Sequence, residues 1–193
     1  MDEGQRWSSK IAGLAPLVMN TVAATAIPEW FSGNGALLPA SVYGSGFTHS
    51  VTAITPTLAE VIGQNLAKMP ADPGTMFSVH QLRGASATPQ KPSSSVFASR
   101  EPHFMLEILG YAAEEKQQEE AEQWALHIAH SVEEADPGSV LQTPYVSLYN
   151  TAQAKSPTDV LEKAYGPHAT LVRDLKTKFD PNNVFSLAVP VLK

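Results

Sequence analysis

The order in which two kinds of hydrophobic periodicity follow one another constrains this chain more than any other feature. A helix repeats its buried face every three or four residues and a strand every second residue, so the succession of patterns limits the available topologies. An extended run over 47–54 comes first, with Phe47, His49, Val51 and Ala53 on one side. A helix follows Thr55-Pro56, where a capping residue and a first-turn proline belong, and Thr57 with Glu60 offers an alternative capping box. Its apolar stripe is Leu58, Val61, Ile62, Leu66 and Met69. Asp72-Pro73-Gly74 turns the chain into a second extended run over 76–83, and a Ser/Pro-rich connection over 84–102 leads to a third over 104–111.

From 114 to 135 the pattern is helical, with Ala121, Trp124, Ala125, Ile128 and Val132 on one side, and Asp136-Pro137-Gly138 stops it. A fourth strand over 145–149 and two helices broken at Gly166-Pro167 complete the chain. Strand, helix, strand, strand, helix, strand predicts an α+β fold: a ferredoxin-like antiparallel sheet with helices on one face. The opposite face then needs a cover, since a bare apolar sheet aggregates. Ahead of this unit, Ser8 or Ser9 is expected to cap a first helix carrying Ile11, Leu14, Ala15, Val18 and Val22, ended by Pro28, with 32–46 a loop. The expected division is therefore 1–42 as helix and loop, and 43–193 as the α+β domain.

Composition removes several classes of function. The 193 residues, 43% of them hydrophobic, suffice for one sizeable core. A net charge of -6 with scattered basic residues argues against a nucleic-acid partner, which requires clustered Lys and Arg. Without cysteine there is no disulfide, thiolate metal site or thiol nucleophile. The start, Met1-Asp2-Glu3-Gly4, lacks the basic and apolar regions of a signal peptide, and the Ala-rich stretch over 11–27 is interrupted by Pro16 and Asn20. The expectation is a cytoplasmic protein with no membrane partner.

Chemistry, on this reading, belongs to polar side chains on the open sheet face. Alternation puts Tyr145, Ser147 and Tyr149 on one side of their strand, and His80 and Leu82 can share it from a neighbouring strand. Tyr145, His80 and Tyr149 are the candidate catalytic groups, as general acids or donors that polarise a carbonyl. Ser147, Gln81, Arg83, His49, Phe47 and Leu82 are the candidate substrate-binding residues. Half-buried packing with the hydroxyl at the rim is the competing reading for the tyrosines. On the acidic helix His130 lies nearly opposite the Trp124/Ile128 stripe and His127 on its flank, and with no third ligand at characteristic spacing no metal site is expected. No Gly-x-Ser-x-Gly elbow supports a hydrolase.

Three stretches occur in a telling order: His80-Gln81-Leu82-Arg83-Gly84-Ala85 with Pro89, Phe97 and Arg100; then Tyr145-Val146-Ser147-Leu148-Tyr149; then Ala164-Tyr165-Gly166 with Lys176-Thr177-Lys178-Phe179-Asp180-Pro181-Asn182-Asn183-Val184-Phe185. Together they resemble the substrate domain and closing segment, about 141–193, of berberine-bridge-enzyme-like FAD-linked oxidoreductases. The resemblance covers roughly 43–185. It implies a substrate domain whose open face meets a separate FAD-binding domain. Two departures matter: Ser147 stands where many members carry a flavin-contacting asparagine, and Gly44-Ser45-Gly46 lacks the strand-to-helix setting of a phosphate-binding loop. Three functions from different classes follow as expectations. The first is a flavin-free, redox-neutral enzyme of specialised metabolism, a cyclase or isomerase acting on a hydrophobic small molecule. The second is the substrate-domain subunit of a split FAD-linked oxidoreductase, with FAD only if a partner supplies the flavin-binding domain. The third is a non-catalytic binding protein or fragment. A homodimer covering the sheet is expected alongside the first.

Overall fold

The computed structural model describes residues 2–14, 16, 22–35, 41–82, 96, 102–142, 145 and 157–186. The chain divides into two compact units, Met1–Leu38 and Pro39–Lys193.

The first unit contains α1 (Asp2–Ala12) and α2 (Ile27–Gly35). The sequence reading of one helix running from Ser8 or Ser9 to Pro28 is corrected at both ends. α1 starts at Asp2 and closes at Gly13, whose N–H donates to the Ser9 carbonyl at 3.1 Å. Pro28 opens a helix instead of ending one, because a proline in the first turn has no intrahelical bond to forfeit. Glu29 reinforces that start by accepting from the Ala26 N–H at 3.2 Å. The expected loop 32–46 is likewise helical through Gly35, with Asn34 donating back to the Trp30 carbonyl at 2.8 Å. The expected helical residues Ala15 and Val18 lie outside the described residues.

The second unit is α+β. Its sheet contains β1 (Tyr43–Val51), β2 (Thr75–Leu82), β3 (His103–Ala112) and β4 (Val140–Leu141), in the order β2-β3-β1-β4, with every neighbouring pair antiparallel. That is the ferredoxin-like order. The helices α3 (Pro56–Leu66) and α4 (Gln118–Ala135) share one core with the sheet: Phe47, Val51, Leu106 and Ile108 from the strands meet Leu58 and Ile62 from α3 and Trp124, Ile128 and Val132 from α4. Thr55 caps α3 as its sequence suggests. Its hydroxyl oxygen accepts from the Leu58 N–H at 3.3 Å and its hydroxyl donates to Asp136 at 3.0 Å, which joins the start of α3 to the end of α4. Ser139 donates to the same carboxylate at 2.6 Å. These bonds, Ser139's first, hold the Asp136 carboxyl below its ordinary pKa.

Gly110 sets how closely α4 approaches. A Cβ there would stand 2.5 Å from the Ala125 Cβ and 2.6 Å from the Ala121 carbonyl oxygen, so helix and strand touch backbone to backbone. The indole of Trp124 spans the two helices by donating to the Asn65 carbonyl at 3.0 Å.

The fourth strand falls elsewhere than expected. Val140 pairs with Val51 and Leu141 with Ser50, directly after the Asp136-Pro137-Gly138 turn, and Tyr145 belongs to no strand. The rest of the expected strand, 146–149, lies outside the described residues. The two closing helices form as α5 (Pro157–Tyr165) and α6 (Ala169–Phe179), separated by a 3-10 turn, Gly166–His168, in which Gly166 has a φ of +51°. Of the expected apolar face of α6 only Val172 is buried, while Leu171, Leu175 and Phe179 are exposed. Asp180 closes that helix: its carboxylate is held by Lys176 and accepts from the Val184 and Phe185 N–H groups at 2.7 and 3.1 Å. Those bonds, led by that from Lys176, depress its pKa.

Candidate functional site

Alternation along the strands, combined with their register, assigns every side chain to a face. Phe47, His49 and Val51 on β1 lie opposite Ile108, Leu106 and Phe104 on β3, and this is the face covered by α3 and α4. The other face is built of cross-strand rows. Gly46, Leu109 and Met76 form one; Thr48, Glu107 and Ser78 the next; Ser50, Met105 and His80 the third; His103 and Leu82 lie beyond.

Glu107 is the only carboxylate in β3, in the middle of Phe104-Met105-Leu106-Glu107-Ile108-Leu109. Its side chain is 16% exposed, and His80 Nε2 lies 2.9 Å from its Oε2. His80 comes diagonally from the edge strand β2 and is 44% exposed, so the pair has a half-buried acid and an accessible imidazole. With Glu107 ionised, the bond runs from the His80 N–H to the carboxylate. Thr48 stands directly opposite Glu107, nine-tenths buried, and its hydroxyl has no hydrogen-bond partner. Tyr111 leans along the same face. Its hydroxyl would lie 3.5 Å from a Cβ at position 46, an ordinary contact that places the ring beside β1. The arrangement offers a hydrogen-bond donor and a proton acceptor side by side on a partly apolar surface, the elements of proton transfer next to a carbonyl.

The residues singled out from sequence separate accordingly. His80 and Leu82 do share the face opposite the helices. Phe47 and His49 do not: Phe47 is a core residue, and His49 is packed against α4, 3.8 Å from Glu133. Burial lowers the His49 pKa, partly opposed by the Glu133 charge and a bond to the Ala129 carbonyl. Gln81 falls on the helix side and is exposed. Tyr145 is 38% exposed. Arg83, Ser147 and Tyr149 lie outside the described residues. His127 and His130 are exposed, and among the described residues no group of three or more His, Cys, Asp or Glu is placed to hold a metal ion. Sequence reading missed Glu107, although a lone carboxylate at the centre of an apolar strand is a visible signal: burying a charge there is costly unless a partner is provided.

Gly44-Ser45-Gly46 does not fit the pyrophosphate of FAD. Gly44 and Gly46 lie inside β1, opposite Tyr111 and Leu109, and not between a strand and a helix N-terminus. At Gly44, with φ of +143°, a Cβ would fall 2.0 Å from the Gly110 carbonyl oxygen, so this glycine serves the close pairing of β1 with β3.

Fold and site define an α+β domain of ferredoxin-like topology with an imidazole–carboxylate pair on the sheet face opposite α3 and α4. No known family profile matches the chain. It is similar to the FAD-linked oxidoreductase aurO of Gibberella zeae, with 28% identity over 184 residues, which is 95% of this chain and 34% of that protein. The chain thus spans about a third of the length of the curated relative it matches. No helix among the described residues is long and apolar enough to cross a membrane.

Proposed function

We propose that the chain is a substrate-binding domain of berberine-bridge-enzyme-like origin that carries out redox-neutral proton transfer, in an isomerisation or cyclisation, on a hydrophobic small molecule with an enolisable carbonyl. The observation that carries this reading is the 2.9 Å pair of His80 and Glu107 on the sheet face opposite α3 and α4. Glu107 takes the proton from the carbon beside the carbonyl. The C–H electron pair moves into the enolate, whose oxygen accepts a hydrogen bond from His80 Nε2. Return of the proton at a different carbon shifts the double bond, and nothing is oxidised or reduced. Met76, Leu82 and Leu109 supply apolar surface on the same side. Tyr145 remains a candidate second donor, and a homodimer covering this face belongs to the same reading.

A simple probe tests it: exchange of the α-hydrogens of 2-tetralone in D2O, followed by proton NMR. Wild-type protein is expected to accelerate exchange, and Glu107→Gln to lose about 100-fold or more of that acceleration, the scale of general acid–base catalysis. Exchange no faster than in buffer, or an unaffected Glu107→Gln, would sink the proposal. A native mass recorded on the same sample reads the dimer.

A second reading is favoured by the similarity to an FAD-linked oxidoreductase together with the exposed Leu171, Leu175 and Phe179 of α6. Here the chain is the substrate half of an oxidoreductase whose flavin-binding half is a separate polypeptide, and the apolar row contributes to the surface between them. Co-purification with a yellow flavoprotein, lost on Leu175→Glu, is the expected result. A colourless, monodisperse protein that accelerates tetralone exchange alone favours the first reading instead.

A further inference from the structure

Three features remain outside the proton-transfer pair: the exposed row on α6, the His49–Glu133 contact beneath α4, and the buried hydroxyl of Thr48. The last carries an inference. In the resting pair the donor of His80 and the acceptor of Glu107 satisfy one another at 2.9 Å. A carbonyl substrate needs both, so the His80 N–H must leave the carboxylate for the substrate oxygen. Glu107 would then be a mostly buried anion without its partner, which is costly. Directly across the ladder stands Thr48, its Oγ1 buried and without a hydrogen-bond partner. Side chains opposite one another on antiparallel strands have Cβ atoms about 4.5–5.5 Å apart, within reach of a hydroxyl-to-carboxylate bond after one change of rotamer. A buried hydroxyl left unsatisfied at rest is itself costly, and a site that is satisfied only in another state explains it.

We propose that Thr48 is a positioning residue that takes over the Glu107 carboxylate when substrate draws His80 away, so that the carboxylate alternates between an imidazole donor at rest and a hydroxyl donor in the complex. This rests on the proton-transfer reading above. No bond to carbon forms or breaks at Thr48, and its proton stays on the hydroxyl throughout.

Four variants test it: Thr48→Val, Thr48→Ser, His80→Ala and the double variant Thr48→Val/His80→Ala. The readouts are tetralone exchange, melting temperature and the 13C resonance of the Glu107 carboxylate at fixed pH. Thr48→Val alone is expected to raise the exchange KM about tenfold without lowering kcat, the loss of one charge-assisted hydrogen bond that forms in the complex and weakens as the carboxylate takes up the proton. It should leave the resting carboxylate resonance where it was and raise the melting temperature, because it removes a buried hydroxyl that has no partner at rest. Thr48→Ser, which keeps the hydroxyl, should restore KM. In the His80→Ala background the resonance should move when Thr48 becomes Val. The proposal is overturned if Thr48→Val shifts the resonance or lowers the melting temperature while His80 is present, since a water or the carboxylate would then already hold the hydroxyl at rest. It is equally overturned if Thr48→Val moves the resonance in neither background. Should Glu107→Gln leave exchange untouched, the proton-transfer reading fails by itself, and the resonance still decides whether the hand-over occurs.

Discussion

Replacing Gly110 by alanine probes the close approach of α4 to β3. The new Cβ would lie 2.5 Å from the Ala125 Cβ and 2.6 Å from the Ala121 oxygen. Carbon atoms rest about 3.5–4.0 Å apart, so α4 and β3 must separate by about an ångström, and a gap of that size forfeits up to about half of each contact's attraction. The contacts at stake are those of Leu106 and Ile108 with Trp124, Ile128 and Val132, which include the most deeply buried side chains of the core. Overpacking of this kind costs about 1–3 kcal/mol. Removing a flexible glycine from the unfolded chain returns about 0.4–1 kcal/mol. The expected net loss is about 1 kcal/mol, a fall in melting temperature of about 2–4 °C for a unit of this size. Urea unfolding followed by Trp124 emission, in a background where the exposed Trp7 and Trp30 are phenylalanine, measures it. Gly63→Ala is the control: nothing lies within 4 Å of a Cβ in the middle of α3, so a gain of about 0.5–1 kcal/mol is expected there. Wild-type stability in Gly110→Ala, with Trp124 emission unchanged, would refute the argument that α4 rests on the bare backbone of β3.

Three further outcomes are expected. Thr55→Ala removes the cap of α3 and a bond to Asp136, and should lower stability by about 1 kcal/mol in the same urea assay. His49 has a folded-state pKa below its ordinary 6.5, so the unfolded chain binds the proton first as pH falls. Its contribution is therefore intact above pH 6.5 and lost as pH drops from there through the folded value, and His49→Gln should flatten that part of the urea-midpoint profile against pH. Asp180, depressed by Lys176 and the Val184 and Phe185 N–H groups, contributes above its ordinary 3.8 and is lost as pH falls through its folded value. Asp180→Asn should make α6 insensitive to acid in that range by amide exchange.

Local signals were legible where a residue acts on its own neighbours. Thr55-Pro56 starts α3 and Asp136-Pro137-Gly138 stops α4 because capping and turn chemistry depend on only a few adjacent residues. Pro28 was read in the wrong direction because the ring that breaks a helix interior also fits a first turn. The site was less legible because register is not local. His49 and His80 each sit at a definite phase of their own strand, yet only the pairing of His49 with Leu106 and His80 with Met105 turns them to opposite faces. Tyr145 followed a pattern of alternation that looked like a strand, while the short Val140–Leu141 segment gained its place by pairing with Ser50 and Val51 immediately after a turn. Glu107 could be seen but not interpreted, since its partner is fixed by the register of β2.

His80 and Glu107 belong to strands of unequal protection. Glu107 is on β3, flanked on both sides in the sheet, whereas His80 is on β2, which stands at the end of the strand order. End strands open at a lower free energy than central ones, and such openings need not involve the rest of the molecule. Detachment of β2 from β3 would carry the imidazole away and leave the carboxylate in a still-folded domain. On the proposed function, exchange of tetralone should therefore fail at lower denaturant than the core, disappearing while Trp124 still reports its buried environment. Deuterium uptake along 75–82, faster than along 103–112, would mark the β2 opening as the event that separates the pair.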